Sequence, residues 1–191
     1  MDVWEQKLEL AESIAAHKFT DSQADVFAED DRDLAFFFFN RREGQTTVGI
    51  AYALVSAYWK PNSKYLYIAD DGNAVTQSKT LASSLVKNFS KCRPERTYQT
   101  VEGHVQIGFG ETKSEVKFHA LGAYHIGEDY DAIIVDTSYH NLKMRHMTKF
   151  TNTVSPSGKL LIMSQVDGET KLPTTQNKLD AIIDDVALSS E

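Results

Sequence analysis

The stretch from residue 36 to residue 55, FFFFNRREGQTTVGIAYALV, decides how the chain is read. A continuous apolar run, Leu34 to Phe39, stops at a short polar turn with one glycine, Gly44, and two threonines, Thr46 and Thr47. The pattern then restarts as a helix, expected over about residues 46–59 and ended by Pro61-Asn62. An apolar run of strand length suits a strand buried on both faces, as in a parallel sheet. A turn between such a strand and a helix aims backbone N–H groups at phosphate oxygens, and the helix N-terminus adds partial positive charge. A glycine lets the backbone come close. In the pattern G-x-x-x-x-G-K-[ST] a lysine then reaches the terminal phosphates, and the next hydroxyl ligates magnesium. Gly44 and Thr46 fill two of these roles, but Gln45 stands at the lysine position and Asn40 takes the place of the first glycine on a shortened spacer. Two readings stay open at this point: a phosphate cradle with a changed part, or a polar turn in which Thr46 or Thr47 caps the helix.

Working outward, residues 3–17 place Trp4, Leu8, Ala11 and Ala15 at near-helical spacing, and EDDRD, 29–33, is a polar break. Lys64 to Ala69 (KYLYIA) reads as a second strand, DDGNA as its exit loop, and residues 75–90 as a second long helix. HVQIGFG and SEVKFHALG, within 97–122, alternate polar and apolar residues like paired antiparallel strands. Two more buried strands, Asp131 to Val135 and Lys159 to Met163, flank a helical stretch near 140–151. After about residue 168 the chain turns polar and closes on a short helix candidate, 177–187. Strands alternating with helices predict an α/β, three-layer fold with a mainly parallel sheet and a β-hairpin insertion at an edge. The expected organisation is one domain: an N-terminal helical segment (1–33), a core (34–168) and a polar C-terminal tail (169–191).

Composition bounds the function. With 191 residues, 41% hydrophobic, the chain can bury a sizeable core without staples. The single cysteine, Cys92, excludes an intramolecular disulfide and a thiolate zinc cluster. The start, MDVWEQKLEL, lacks the regions of a signal peptide, and no run approaches a membrane span, so a soluble, cytoplasmic protein without membrane contact is expected. A net charge of −7 gives no broad attractive surface for nucleic acid. The local sets Lys87, Lys91, Arg93, Arg96 and Lys143, Arg145, Lys149 are read as solvated surface, which leaves DNA contact weakly supported.

Further signals sit at strand ends. YDAIIVDTSY, 130–139, is an apolar strand ending in Asp136, and an acidic residue at such a place holds magnesium in phosphate-loop enzymes. KLLIMSQ ends in Ser164-Gln165, a polar pair placed to sense a phosphate. Ligands of open α/β sheets sit at the carboxyl ends of the strands. The doublet Asp70-Asp71 ends the second strand, where it is placed to approach a ligand, although a solvated loop with an Asp71-Gly72 turn is the plainer reading.

In this order the pieces resemble the ATPase domain of the large terminase subunit, the motor that packages DNA in tailed phages. RREGQTT places Arg41, Gly44, Thr46 and Thr47 on the family's deviant loop R-x-x-G-K-T-T, with Gln45 for the lysine. AYALVSAYWKPNSKYLYIADDGNA is similar to the helix, second strand and loop that follow; KFHALGAYHIGEDYDAIIVDTSY to the hairpin and Walker B strand; SPSGKLLIMSQVDG to the later strand and coupling motif. The resemblance covers roughly residues 34–168. It implies a P-loop NTPase-like fold and Mg-ATP as cofactor. Nucleotide would bind at Arg41, Arg42, Gly44, Gln45, Thr46 and Thr47, metal at Thr46 and Asp136, with coupling through Ser164 and Gln165.

The departures are informative. The family's Walker B strand ends in Asp-Glu, the glutamate orienting the attacking water, whereas Thr137 follows Asp136 here. General-base help is worth about 10²- to 10⁴-fold, and loss of the lysine removes charge at the phosphoryl group. Arg41 is placed to replace part of that charge. The polar stretch after residue 168 is expected to hold no counterpart of the family's nuclease domain. The expectation is therefore a degenerate, pseudo-ATPase domain without catalytic residues, acting as a protein-binding module in viral DNA packaging or assembly. The alternative is an active or slow ATP-hydrolysing motor domain. Packaging or assembly proteins, and other copies of the chain, are the implied partners, in the host cytoplasm if the protein is viral.

Other constellations are thinner. His119, His125, His140 and His146 do not make the H-E-x-x-H spacing of a zinc site. A triad of Ser138, His140 and Asp136 lacks a G-x-S-x-G elbow. Tyr58 and Trp59 are read as core packing rather than a base-stacking platform.

Overall fold

The computed structural model describes residues 2–28, 34–40, 43–101, 103–123, 128–138, 141–142 and 144–166. The polar break at 29–33, the tail at 169–191 and its helix candidate, 177–187, lie outside the described residues. The elements run α1 (Val3–Ala15), α2 (Asp21–Ala28), β1 (Leu34–Asn40), α3 (Gln45–Trp59), β2 (Lys64–Ala69), α4 (Gly72–Cys92), β3 (Thr97–Val101), β4 (His104–Phe109), β5 (Thr112–Ala120), β6 (Tyr130–Ser138), α5 (Met144–Thr151) and β7 (Val154–Val166). They build one seven-stranded sheet in the order β1-β7-β6-β2-β5-β4-β3. The pairings β1–β7, β7–β6, β6–β2 and β2–β5 are parallel, and β5–β4 and β4–β3 are antiparallel. The mainly parallel α/β architecture expected from the alternation of elements is the observed one.

Helices cover both faces, unequally. One face packs under α1–α4, with Ile14, Phe27, Leu54 and Phe89 meeting Tyr67 and Met163 of the strands. The other carries α5, whose Phe150 packs on Leu66, Ile133 and Ile162. Period-two alternation of strand side chains produces this division: Tyr65 and Tyr67 face the first layer, Leu66 and Ile68 the second. Helix α3 is buried along most of its length, as a helix apolar on nearly every side after its first turn must be. Gly49 lets it lie close on the sheet, since a Cβ there would meet Met163 Sδ at 2.9 Å and Tyr67 Cε2 at 3.2 Å.

Several local expectations are corrected. The FFFF run is not buried on both faces: Ala35, Phe37 and Phe39 are buried, while Leu34, Phe36 and Phe38 are only half-buried. Among the described strands β1 pairs on one side only, with β7, and the thinner α5 layer leaves its second face partly open. Helix α4 begins at Gly72, three residues earlier than its apolar spacing indicates, because the Asp71 side chain accepts from Ala74 N at 2.8 Å as an N-cap. The polar strand β3 extends the hairpin to a three-stranded meander, and the short helix α2 follows α1. Strand β7 starts at Val154 despite Pro156 and Gly158, because a register irregularity between Tyr130 and Ala132 of β6 takes up the extra residues opposite them. Among the described residues no helix is long and apolar enough to cross a membrane.

Candidate functional site

The strand order explains why distant residues meet. Strand β7 lies between β1 and β6, so the turn after β1 opens beside the carboxyl ends of β7, β6 and β2. That turn is tight. Glu43 N donates to Asn40 O at 3.2 Å, and the Glu43 carboxylate accepts from Asn40 N at 2.6 Å and Asn40 Nδ2 at 2.7 Å. These bonds hold the Glu43 carboxyl below the usual carboxylate range. Gly44 follows at φ +75°, where an L side chain is strained, and a Cβ would lie 2.8 Å from Gln23 Nε2. Gln23 comes from α2: its Nε2 donates to Glu43 O at 2.5 Å, and its Oε1 accepts from Thr20 N at 2.9 Å. The first helical bond of α3 is Val48 N to Gly44 O, so the N–H groups of Gln45, Thr46 and Thr47 have no intrahelical acceptor. They present a donor array with the positive end of a 15-residue helix behind it.

Asp136 is the centre of the site. Thr46 Oγ1 donates to its Oδ2 at 2.7 Å, and Gln45 Nε2 to its Oδ1 at 2.5 Å. The buried Tyr67 hydroxyl, rising from β2, also donates to Oδ2. Burial pushes the Asp136 carboxyl above its ordinary range; the bonds from Tyr67, Thr46 and Gln45 act against that rise, and the negative charge of Asp70 adds to it. The Tyr67 hydroxyl is pushed well up by burial and by the Asp136 charge, so it stays a donor. Gln45 makes a second bond, to Met163 O of β7 at 2.7 Å. Its amide therefore points down onto β6 and β7, tying the turn to both strands.

Of the residues singled out in the sequence, Gly44, Gln45, Thr46 and Asp136 come together. Thr47 lies half-buried in the first turn of α3. Ser164 sits in register between Phe38 of β1 and Thr137 of β6; it is 1% exposed, and its Oγ has no hydrogen-bond partner. Gln165 stands beside Phe39 and Ser138. Arg41, Arg42 and His140 lie outside the described residues. Among the described residues no group of three His, Cys, Asp or Glu side chains could hold a metal. The Thr46 hydroxyl and Asp136 carboxylate are the oxygen pair that fits a magnesium ion, a hard cation that keeps several waters and takes one or two carboxylates.

Sequence reasoning misses two participants and ranks a third too low. Tyr67 carried a signal only as an alternating strand residue, and Gln23 none. Asp70 was read as solvated loop, yet it is half-buried, and its carboxylate accepts from the Thr137 hydroxyl and from Ser138 N at 3.3 Å. Its position directly after an apolar strand was the available signal.

No protein-family model matches the chain, and no curated protein matches it by sequence. Solved structures do. The large terminase of bacteriophage HK97 superposes with a TM-score of 0.71 at 16% identity over 100% of this chain and 42% of its own. The large terminase ATPase domain of Thermus phage P74-26, as a point mutant, gives 0.66 at 14% identity over 83% of this chain and 70% of that one. The large terminase of a thermophilic bacteriophage, in complex with ATP-γ-S, gives 0.56 at 12% identity over 76% of this chain and 38% of that one. The chain has the fold of phage large terminase ATPase domains, and spans less than half the length of the HK97 protein and of the ATP-γ-S-bound one.

Proposed function

We propose that the chain is a magnesium-nucleotide-binding domain of a viral DNA-packaging or assembly machine, degenerate in its phosphate loop, which works mainly by engaging partner proteins. The observation that carries this reading is the Thr46 hydroxyl bonded to Asp136 at the N-terminus of α3, below a glycine at positive φ. A polar turn that only caps a helix has no need of a buried carboxylate reached by three side chains from two elements, α3 and β2. The donor array of the first α3 turn fits phosphate oxygens, and the unpartnered Ser164 hydroxyl fits a role at the terminal phosphate. Magnesium, when bound, would neutralise phosphate charge; Thr46 and Asp136 would hold it. On this reading residues 34–168 are the nucleotide core, 1–33 support its loop through Gln23, and 169–191 form a tail.

The substitutions set the rate. Gln45 offers no charge, and Thr137 takes no proton near neutral pH, so turnover falls by at least about 10²-fold against a site with both groups. Partners are packaging proteins or further copies of the chain, with DNA contact less supported on an acidic surface. Calorimetric titration with Mg-ATP and Mg-ADP tests the reading. Binding that disappears in Asp136→Ala is expected; no heat at millimolar nucleotide refutes it. A second reading, slow hydrolysis, is favoured by one observation, the placement of Asp70.

A further inference from the structure

The geometry points to Asp70 as the carboxylate that orients and deprotonates water at this site, in place of the glutamate missing from position 137. The inference rests on the reading that Mg-ATP occupies the loop. Strands β2 and β6 pair in parallel with Ala69 opposite Asp136, so the next residues, Asp70 and Thr137, emerge side by side at the carboxyl end of the sheet. The Thr137 side chain is buried, and its hydroxyl donates to Asp70 Oδ1. Ser138 N donates to Asp70 Oδ2 at 3.3 Å. Both contacts come from β6. They hold the Asp70 carboxylate against the backbone position from which an acidic side chain at 137 would have extended, one strand over.

Thr137 thus becomes a positioning residue. It donates one bond, which fixes the carboxylate and leaves lone pairs on both oxygens for a water. The chemistry asked of Asp70 is limited. The water oxygen attacks the γ-phosphorus, the bond from that phosphorus to the β–γ bridging oxygen breaks, and ADP leaves with its electron pair. The water proton passes to Asp70 and from there to the released phosphate or to solvent. No other reactant is needed. Aspartate is one methylene shorter than glutamate, and its start on the neighbouring strand sets where its carboxylate can reach.

The test is a single-turnover assay with Mg-ATP on the full chain and three variants, with nucleotide affinity measured in parallel. Asp70→Asn keeps an acceptor for the Thr137 hydroxyl and cannot take a proton. Its cleavage rate is expected to fall at least about 100-fold, with Mg-ATP affinity within about threefold of the parent. Thr137→Glu placed in the Asp70→Asn background should restore cleavage, which a merely structural role of Asp70 would not produce. Cleavage unchanged by Asp70→Asn overturns the inference, as does a parent protein that binds Mg-ATP without cleaving it. Nucleotide binding lost in Asp136→Ala shows in either case that the binding reading stands. Absence of binding by the parent removes both.

Discussion

Gln45 is the residue on which the site turns, because its amide lies where a lysine would carry charge and is bonded to Asp136 and Met163 O. Gln45→Lys would bring an ammonium to the same pair of acceptors, within reach of bound phosphate. A charge-assisted bond is worth about 1.5–3 kcal/mol, so Mg-ATP affinity is expected to rise roughly 10- to 100-fold; an unchanged affinity in calorimetry would show that no phosphate comes near position 45. Asp136 supplies a second expectation, and its sign follows from its environment. Burial raises its folded-state pKa above the ordinary 3.8. The stability linked to this group is then fully present below the unfolded value and is lost as pH rises through the folded one. Asp136→Asn cannot ionise, so its stability relative to the parent should improve as pH rises through that window and then level off. Urea unfolding at stepped pH measures this, and a pH-independent difference would contradict it.

At the scale of elements, the fit of α3 against the sheet links packing to the site. Gly49→Ala would drive a methyl into Met163 and Tyr67, both fully buried, and Tyr67 is bonded to Asp136. Overpacking of this kind costs about 1–3 kcal/mol, which for a chain of this size lowers Tm by roughly 2–4 °C per kcal/mol. Nucleotide affinity should weaken with it, since Tyr67 cannot shift without disturbing the carboxylate. A parent-like melting profile would mean that α3 can lift off the sheet without penalty. Elements were also where the sequence was most legible. The apolar runs of β1, β2, β6 and β7 and the long α3 announce themselves by length and composition. Strand β3 does not, because TYQTV is polar and mostly exposed and owes its conformation to pairing with β4. The start of α4 was hidden for a different reason: Asp71-Gly72 has the chemistry of a turn and of a helix cap alike, and only the bond to Ala74 N separates them.

For the molecule as a whole, the fold could be read because strand–helix alternation is a property of pattern, whereas the site depends on which strands become neighbours. Gly44, Thr46 and Asp136 were legible as strand-end residues of recognisable type. Tyr67 was not, and the partner of Asp70 was not, because nothing in KYLYIAD states that β2 will lie beside β6 or how the two will be registered. The order of the sheet has a consequence for biogenesis. Strand β7 is the last described strand to leave the ribosome, yet it fills the gap between β1, made first, and β6. Among the described strands, β1 has no other partner. A nascent chain released before residue 154 would hold the glycine turn, the threonine and the aspartate, and still lack the strand that joins them. The site around Asp136 therefore matures only when synthesis of this region is nearly done, and slow loop closure delays its appearance until the rest of the core is in place.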